Sequence, residues 1–163
     1  MTWLLYVLYA LVALVVAVFV AGQAGFLAGK EPPDLGIKDG KLKPPSRTEN
    51  SVSSQAGLYP DHPMKAYAEI APFKFTGDGR AAINRIKRIV ETTEGARIVR
   101  AEPTYLYAQF QTRWLKFVDD VEFFADDEAK LVHVRSASRI GRGDLGVNRT
   151  RIEAIRARFA AQP

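Results

Sequence analysis

The chain has 163 residues, with 23 Lys+Arg, 18 Asp+Glu, a formal net charge of +5 and no cysteine. Every charged side chain lies after Gly29, so an uncharged apolar lead precedes a highly charged remainder, which argues against both a plain cytosolic protein and a multi-pass membrane protein. The remainder is long enough for one core and too short for two; without cysteine there is no disulfide framework, thiolate metal site or thiol nucleophile.

Trp3 to Ala21 (WLLYVLYALVALVVAVFVA) is apolar throughout, and Gln23 is the one strongly polar side chain before Lys30. About 20 apolar residues in a helix cross a bilayer core of about 30 Å. Trp3, Tyr6 and Tyr9 suit the aromatic belt of a membrane interface. A core helix apolar on every face does not fit so small a domain. A cleaved signal peptide would carry a basic lead and a shorter apolar stretch; no Lys or Arg precedes this run, although Gly22-Gln23-Ala24 offers the small residues of a cleavage site. The expectation is a retained single-pass anchor over 1–28, touching membrane lipid through residues 3–28. Lys30, Lys38, Lys41, Lys43 and Arg47 follow it, which by the positive-inside rule favours a cytoplasmic C-terminal side.

Residues 29–45 hold four prolines and read as an extended Pro/Gly/Lys-rich tether with a turn at Asp39-Gly40. Residues 47–57 (RTENSVSSQAG) read as a polar loop at the start of a single domain over 46–163. The first helix of that domain is predicted over 79–93. Asp78 caps it, Ala82, Ile83, Ile86, Ile89 and Val90 form its apolar stripe, and Gly95 stops it.

Strands are predicted over 104–112, 116–125 and 131–138, preceded by a fourth at 97–101. A four-residue turn at 126–129 pairs Glu122 with His133, Asp120 with Arg135 and Asp119 with Ser136. A two-residue turn at Arg113-Trp114 joins the preceding strand. Side chains alternate between faces. One face then collects Leu106, Ala108, Phe110, Val121, Phe123, Val132 and Val134, and the other Tyr105, Tyr107, Asp120, Glu122, His133 and Arg135. A last helix is predicted over about 149–161, capped by Asn148 and stapled by Val147 and Ile152, with Ile152, Ile155 and Phe159 facing inward. The fold class is α+β: an N-terminal transmembrane helix, then an antiparallel meander of three to four strands covered on one face by two helices.

The segments FVDDVEF, HVRSASRIG and DLGVNRTRIEAIR closely resemble the bacterial and plastid family catalogued as domain of unknown function 1499. DGKLKPP and NSVSSQA resemble its N-terminal motif, so the resemblance covers about 36–159. It implies a small domain carried behind an export signal or membrane anchor, and no established activity. Many relatives carry cysteines near the positions of Pro45 and Ser51, which this chain lacks. Such a pair implies an oxidising, exported compartment, which tips the expected side of the soluble domain from cytoplasmic to the exported, periplasmic type.

Gly141-Arg142-Gly143-Asp144-Leu145-Gly146 fits G-x-G-x-x-G, but a dinucleotide site needs a βαβ unit and a later acidic residue. The plainer reading is a glycine-permitted connection from strand to helix. Asp119 points with the apolar set and needs a partner, for which Ser136, Arg139 and the 47–54 loop are candidates. Asp120 and Glu122 share a face, and His133 stands opposite Glu122 as a candidate acid/base, since the unperturbed histidine pKa lies near neutrality. Asp119, Asp120, Glu122 and His133 are therefore the alternative catalytic group, for a hydrolase or isomerase. Ser136 or Ser138 with His133 and Asp119 supply triad residue types, but on opposite faces and without a nucleophile elbow. Two histidines with scattered carboxylates give no zinc spacing, and no metal or cofactor is expected.

The strongest chemical signal is arginine: Arg135, Arg139, Arg142, Arg149, Arg151, Arg156 and Arg158 against Asp144 and Glu153. Guanidinium suits carboxylate and phosphate, and a helix start adds N–H donors. The candidate binding set is Arg135, Ser136, Ser138, Arg139, Asn148, Arg149 and Arg151, with internal pairing to the acidic run 119–128 as the structural alternative. Nucleic acid is not the expected partner, because no recognisable motif accompanies the charge. The sequence thus points to a membrane-anchored, non-catalytic domain at the cell envelope that binds an acidic small molecule, a lipid head group or an envelope protein.

Overall fold

The structure is a computed structural model describing residues 2–161; Met1, Gln162 and Pro163, the outermost positions of the expected anchor and domain, lie outside the described residues. Helix α1 (Thr2–Gln23) is apolar on all sides and long enough to cross a membrane. Its 22 residues span about 33 Å at the α-helical rise.

The rest is an antiparallel sheet with helices. Its strands are β1 (Ser51–Ser53), β2 (Phe73–Lys74), β3 (Ala96–Ala101), β4 (Tyr105–Gln111), β5 (Val118–Asp126) and β6 (Leu131–Ser138). The order is β1-β6-β5-β4-β3, and β2 also pairs with β6. The meander is as expected, but the sheet has six strands rather than three or four. The polar loop expected at 47–57 contains β1, whose three residues are all buried and pair with Arg135, Ser136 and Ala137. Its apolar content, one valine between serines, is too small to signal a strand. Short α2 (Lys65–Ala68) follows.

Helix α3 (Gly79–Glu91) is capped by Asp78, whose side chain accepts from Ala81 N, and buries the expected stripe. Ile83, Ile86, Ile89 and Val90 join Leu106, Phe110, Val121, Phe123, Val132 and Val134 in one apolar core with Ile152, Ile155 and Phe159 of helix α4 (Val147–Ala160).

Two registers differ from expectation, each by two residues. The β5–β6 connection is Asp127 to Lys130, so Glu122 faces Arg135, Asp120 faces Ala137 and Asp119 faces Ser138. Asp126 Oδ1 accepts from Ala129 N, and Lys130 takes φ +55°, which closes the turn one residue later than expected. The β4–β5 connection is also wider than two residues: Thr112 N donates to Phe117 O, and Phe117 N donates to Thr112 Oγ1. Because both shifts are even, every side chain keeps its predicted face.

The start of α4 also needs correction. Gly146, at φ +78°, precedes the helix, and Asn148 lies inside its first turn. Asp144 caps it instead: Oδ2 accepts from Asn148 N and Oδ1 from Gly146 N. Val147 is exposed, so no staple forms.

Candidate functional site

The sheet divides the expected binding residues into two groups. On the helix side, Asp119 accepts from Arg151 Nη2 at 2.5 Å. Arg151 Nη1 donates to Asn148 Oδ1 and Ser136 Oγ, at 2.9 and 3.2 Å. Asn148 is fully buried; its Nδ2 donates to Asp144 Oδ2, Ser138 Oγ and Asn50 O. Asp144 also accepts from Tyr67 OH, and Arg149 donates to the Tyr67 and Glu69 carbonyls. Asp119 thus pins the last helix, and its partner is none of the expected candidates but Arg151, one helical turn beyond Val147. Serine, amide, carboxylate and guanidinium are used up on one another here. Burial raises the Asp144 carboxyl, but the hydrogen bonds from Tyr67, Asn148 and Gly146 outweigh it and leave its pKa lowered. Tyr67, bonded to that carboxylate and partly buried, is pushed up to about 12.

The other face carries Arg135 and Arg139. This face is not a solvated surface. The stretch expected as a tether lies along it: Gly36 N donates to Glu122 Oε1, Leu42 is buried beside Tyr105 and Tyr107, and Pro44 O accepts from Arg135 Nε. Asp120 is held on two sides by Arg139, at 2.9 and 2.7 Å, and by Tyr107 OH. Hydrogen bonding to Asp120 raises the Arg139 pKa against the effect of burial. Glu31 Oε2 adds a second carboxylate 3.5 Å from Arg139 and accepts from Gln109.

The neighbouring pair is unlike it. Glu122 and Arg135 are both essentially buried, at 0% and 3% exposure, yet Arg135 Nη1 stands 3.8 Å from Glu122 Oε2. Neither atom has a hydrogen-bond partner among the described residues. Burial pushes the Glu122 carboxyl up despite the Tyr105 hydroxyl and the Arg135 charge. Burial likewise pushes the Arg135 guanidinium down despite Glu122 and Asp120. For both partners desolvation exceeds attraction, the signature of an under-compensated buried pair.

Arg135 lines a pocket of about 350 Å³ between residues 30–47 and β6. Lys30, Lys43, Arg47, Arg135 and Arg139 face a single lining carboxylate, Asp120, which Arg139 already neutralises. Lys43 is shared with Asp34 at the rim; Lys30 and Arg47 make no ion pair among the described residues. Sequence reasoning placed Lys30 and Lys43 in a tether and Arg47 in a polar loop, and missed all three as site residues. The signal was the density of lysine beside proline, which marks a chain laid over a surface as readily as a free linker.

The expected binding set therefore does not gather around one pocket: Arg139 is bound to Asp120 and Arg149 to the Tyr67 and Glu69 carbonyls. The alternative catalytic group is also dispersed. Asp119 is on the helix side with Arg151, and Asp120 and Glu122 are tied to Arg139 and Tyr105. His133 is stacked on Phe124, with ring centroids 6.1 Å apart, and its Nδ1 is 3.4 Å from Ser54 Oγ. The expected Glu122–His133 pair is replaced by Glu122–Arg135 because of the two-residue register shift. Burial lowers the His133 pKa. The glycine-rich 141–146 loop leads from β6 to α4, and is tied down by Asn50 Nδ2 donating to Gly141 O and by Asp144 N donating to Glu49 O. Among the described residues no His/Asp/Glu group is gathered in a metal-binding arrangement.

The chain belongs to the family described as "Protein of unknown function (DUF1499)", whose sequence pattern matches residues 41–159. No curated protein and no solved structure matches it.

Proposed function

We propose that this chain is a single-pass, membrane-anchored, non-catalytic domain at the cell envelope, held on the exported side, whose pocket between residues 30–47 and β6 takes the anionic group of a small molecule or lipid head group. The observation that carries the reading is the lining of that pocket, where Lys30, Lys43, Arg47, Arg135 and Arg139 stand against the single carboxylate of Asp120, and where Arg135 is an incompletely satisfied buried cation. Buried donors are ordinarily satisfied, and a charge-assisted bond to a phosphate or carboxylate oxygen is the strongest way to complete one. The anchor reading rests on α1, which has the length and composition of a span.

The test is titration of the full-length protein in detergent with inorganic phosphate and with glycerol 3-phosphate. Saturable binding, weakened at least about tenfold in Lys30→Ala/Arg47→Ala, is the expected result. No saturable binding, or unchanged binding in that variant, overturns the pocket assignment. Recovery of an intact N-terminus in the membrane fraction tests the anchor separately, since a processed signal sequence would be missing.

A further inference from the structure

The end of the domain nearest α1 is built from two loops. The β4–β5 hairpin tip meets the helix directly: Gln23 Nε2 donates to Trp114 O at 2.8 Å. Gly22 lies so close to Leu115 that a Cβ on it would meet Leu115 O at 2.7 Å. A few residues on, Gly29 packs against Arg139 and Ile140, in the loop after β6. The chain leaving α1 is therefore laid from the hairpin tip to the 139–147 loop, and both loops are held at the end of the span.

These loops present apolar side chains to the outside. Trp114 is 64% exposed, Leu145 fully so, and Ile140 and Val147 are open as well. Ile140, Leu145 and Val147 line, with Phe117 and Val118, an apolar groove of about 310 Å³. Leu145 is held outward at φ +52°, a conformation a leucine rarely adopts. Cations flank the patch: Arg113 stacks on Trp114, with its guanidinium carbon 5.2 Å from the ring centroid, and Lys116 and Arg142 lie in the same two loops. An exposed apolar patch marks an interaction surface. Indole and aliphatic groups ringed by Arg and Lys match the depth profile of an anionic lipid interface.

We infer that Trp114, Ile140, Leu145 and Val147 form a membrane-seating face, which inserts into the head-group layer of the bilayer that holds α1 and fixes the domain against it. The inference rests on the anchor reading of α1, and continuity with the end of that helix is what selects the bilayer over a protein partner.

The chain has two tryptophans, Trp3 and Trp114, so single substitutions give single-tryptophan reporters. Full-length Trp3→Phe and Trp114→Phe are reconstituted into vesicles of phosphatidylcholine and phosphatidylglycerol, with bromine placed high or low on the acyl chain. The seating face predicts that Trp114 emission falls about twofold with bromine near the head group. In Trp3→Phe carrying Ile140→Ser, Leu145→Ser and Val147→Ser, the quenching is lost. If Trp3 is quenched and Trp114 is not, the seating face is overturned and the anchor stands. If neither is quenched, the anchor reading fails and the seating face with it. Trp114 quenching that persists in the triple-serine background also overturns the face, because the hairpin is then merely close to the bilayer. Far-ultraviolet circular dichroism of each variant confirms that the exposed substitutions leave the fold intact.

Discussion

Glu122 Oε2 and Arg135 Nη1 lie 3.8 Å apart in the interior, and neither atom is hydrogen-bonded among the described residues. Two residues back along β5, the Asp120–Arg139 pair has a two-pronged bond and a tyrosine hydroxyl. The chain thus holds one saturated and one unsaturated ion pair side by side on the same sheet face.

Removing one member of the unsaturated pair leaves a bare buried charge. Arg135→Met is expected to cost about 3–5 kcal/mol at neutral pH. Glu122→Gln/Arg135→Met should recover most of that loss, because the glutamine oxygen still accepts from Gly36 N and Tyr105 OH. Urea unfolding of the detergent-solubilised proteins measures both. A double variant no better than the single one would show that the pair itself is a net stabiliser. The sign with pH follows from burial: the Glu122 pKa is raised in the fold, so its stabilising contribution is present below the unfolded value near 4.5 and is lost as pH rises through the folded one. Arg135→Met should steepen that loss.

Arg151 is expected to be the most sensitive arginine of α4. It serves Asp119, Ser136 and Asn148 together and lies over the Phe110 ring. Arg151→Ala strands the buried Asp119 carboxylate, while Ser136 and Asn148 keep the bond between them, for a loss of about 3 kcal/mol or more. Arg151→Lys, with one point charge and no fork, should recover only part of it. Arg142→Ala, in an exposed loop, should change the unfolding midpoint little. Equal midpoints for Arg151→Ala and Arg142→Ala would contradict the assignment.

Tyr67 and Asp144 should shape the two ends of the pH–stability curve. The Asp144 pKa is lowered, so its contribution holds above the unfolded value near 3.8 and disappears as pH falls through the folded one. Asp144→Asn should flatten that acid limb. Tyr67 is raised to about 12, so its contribution holds below about pH 10, the free phenol value, and is lost between there and about 12. Absorbance of the phenolate, compared between the parent and Tyr67→Phe, isolates that titration. Ionisation of Tyr67 near 10 would mean that the bond to Asp144 is not made in solution.

Gly95 cannot carry a side chain. It sits at φ +74°, and a Cβ would meet Gln111 O at 2.4 Å. That carbonyl belongs to the strand bonded to β3, so relief requires opening the β3–β4 ladder. Gly95→Ala should cost about 2 kcal/mol or more, whereas Gly57→Ala, with open space around it, should be close to neutral. Thermal unfolding of the two variants makes the comparison.

Much of the fold is readable because it is periodic. The α3 stripe, its Asp78 cap and the inward residues of α4 all repeat at helical spacing. The strand faces survived two wrong turns because strand parity is unchanged by an even slip. What did not repeat was not legible. Ser51–Ser53 became a strand only because β6 offered it a partner. Asn148 is buried inside α4 because Asp144 and Gly146 start the helix two residues earlier than the N-cap preference of asparagine suggests. The site was harder still: Arg135, Lys30 and Arg47 are far apart in sequence and meet only when residues 30–47 fold back over the sheet.

By itself the sequence determined an apolar α1, the alternation that buries one sheet face, the helix stripes and the family, since each depends on the order of neighbouring residues. Only the tertiary structure decided which charges neutralise one another. Whether Glu122 meets His133 or Arg135 turns on a one-residue shift in where the turn is placed. Whether an arginine is spent on Asp119 or left with an open donor turns on which chain segment covers it. Pairing energies depend on distance and burial, and neither is a property of local sequence.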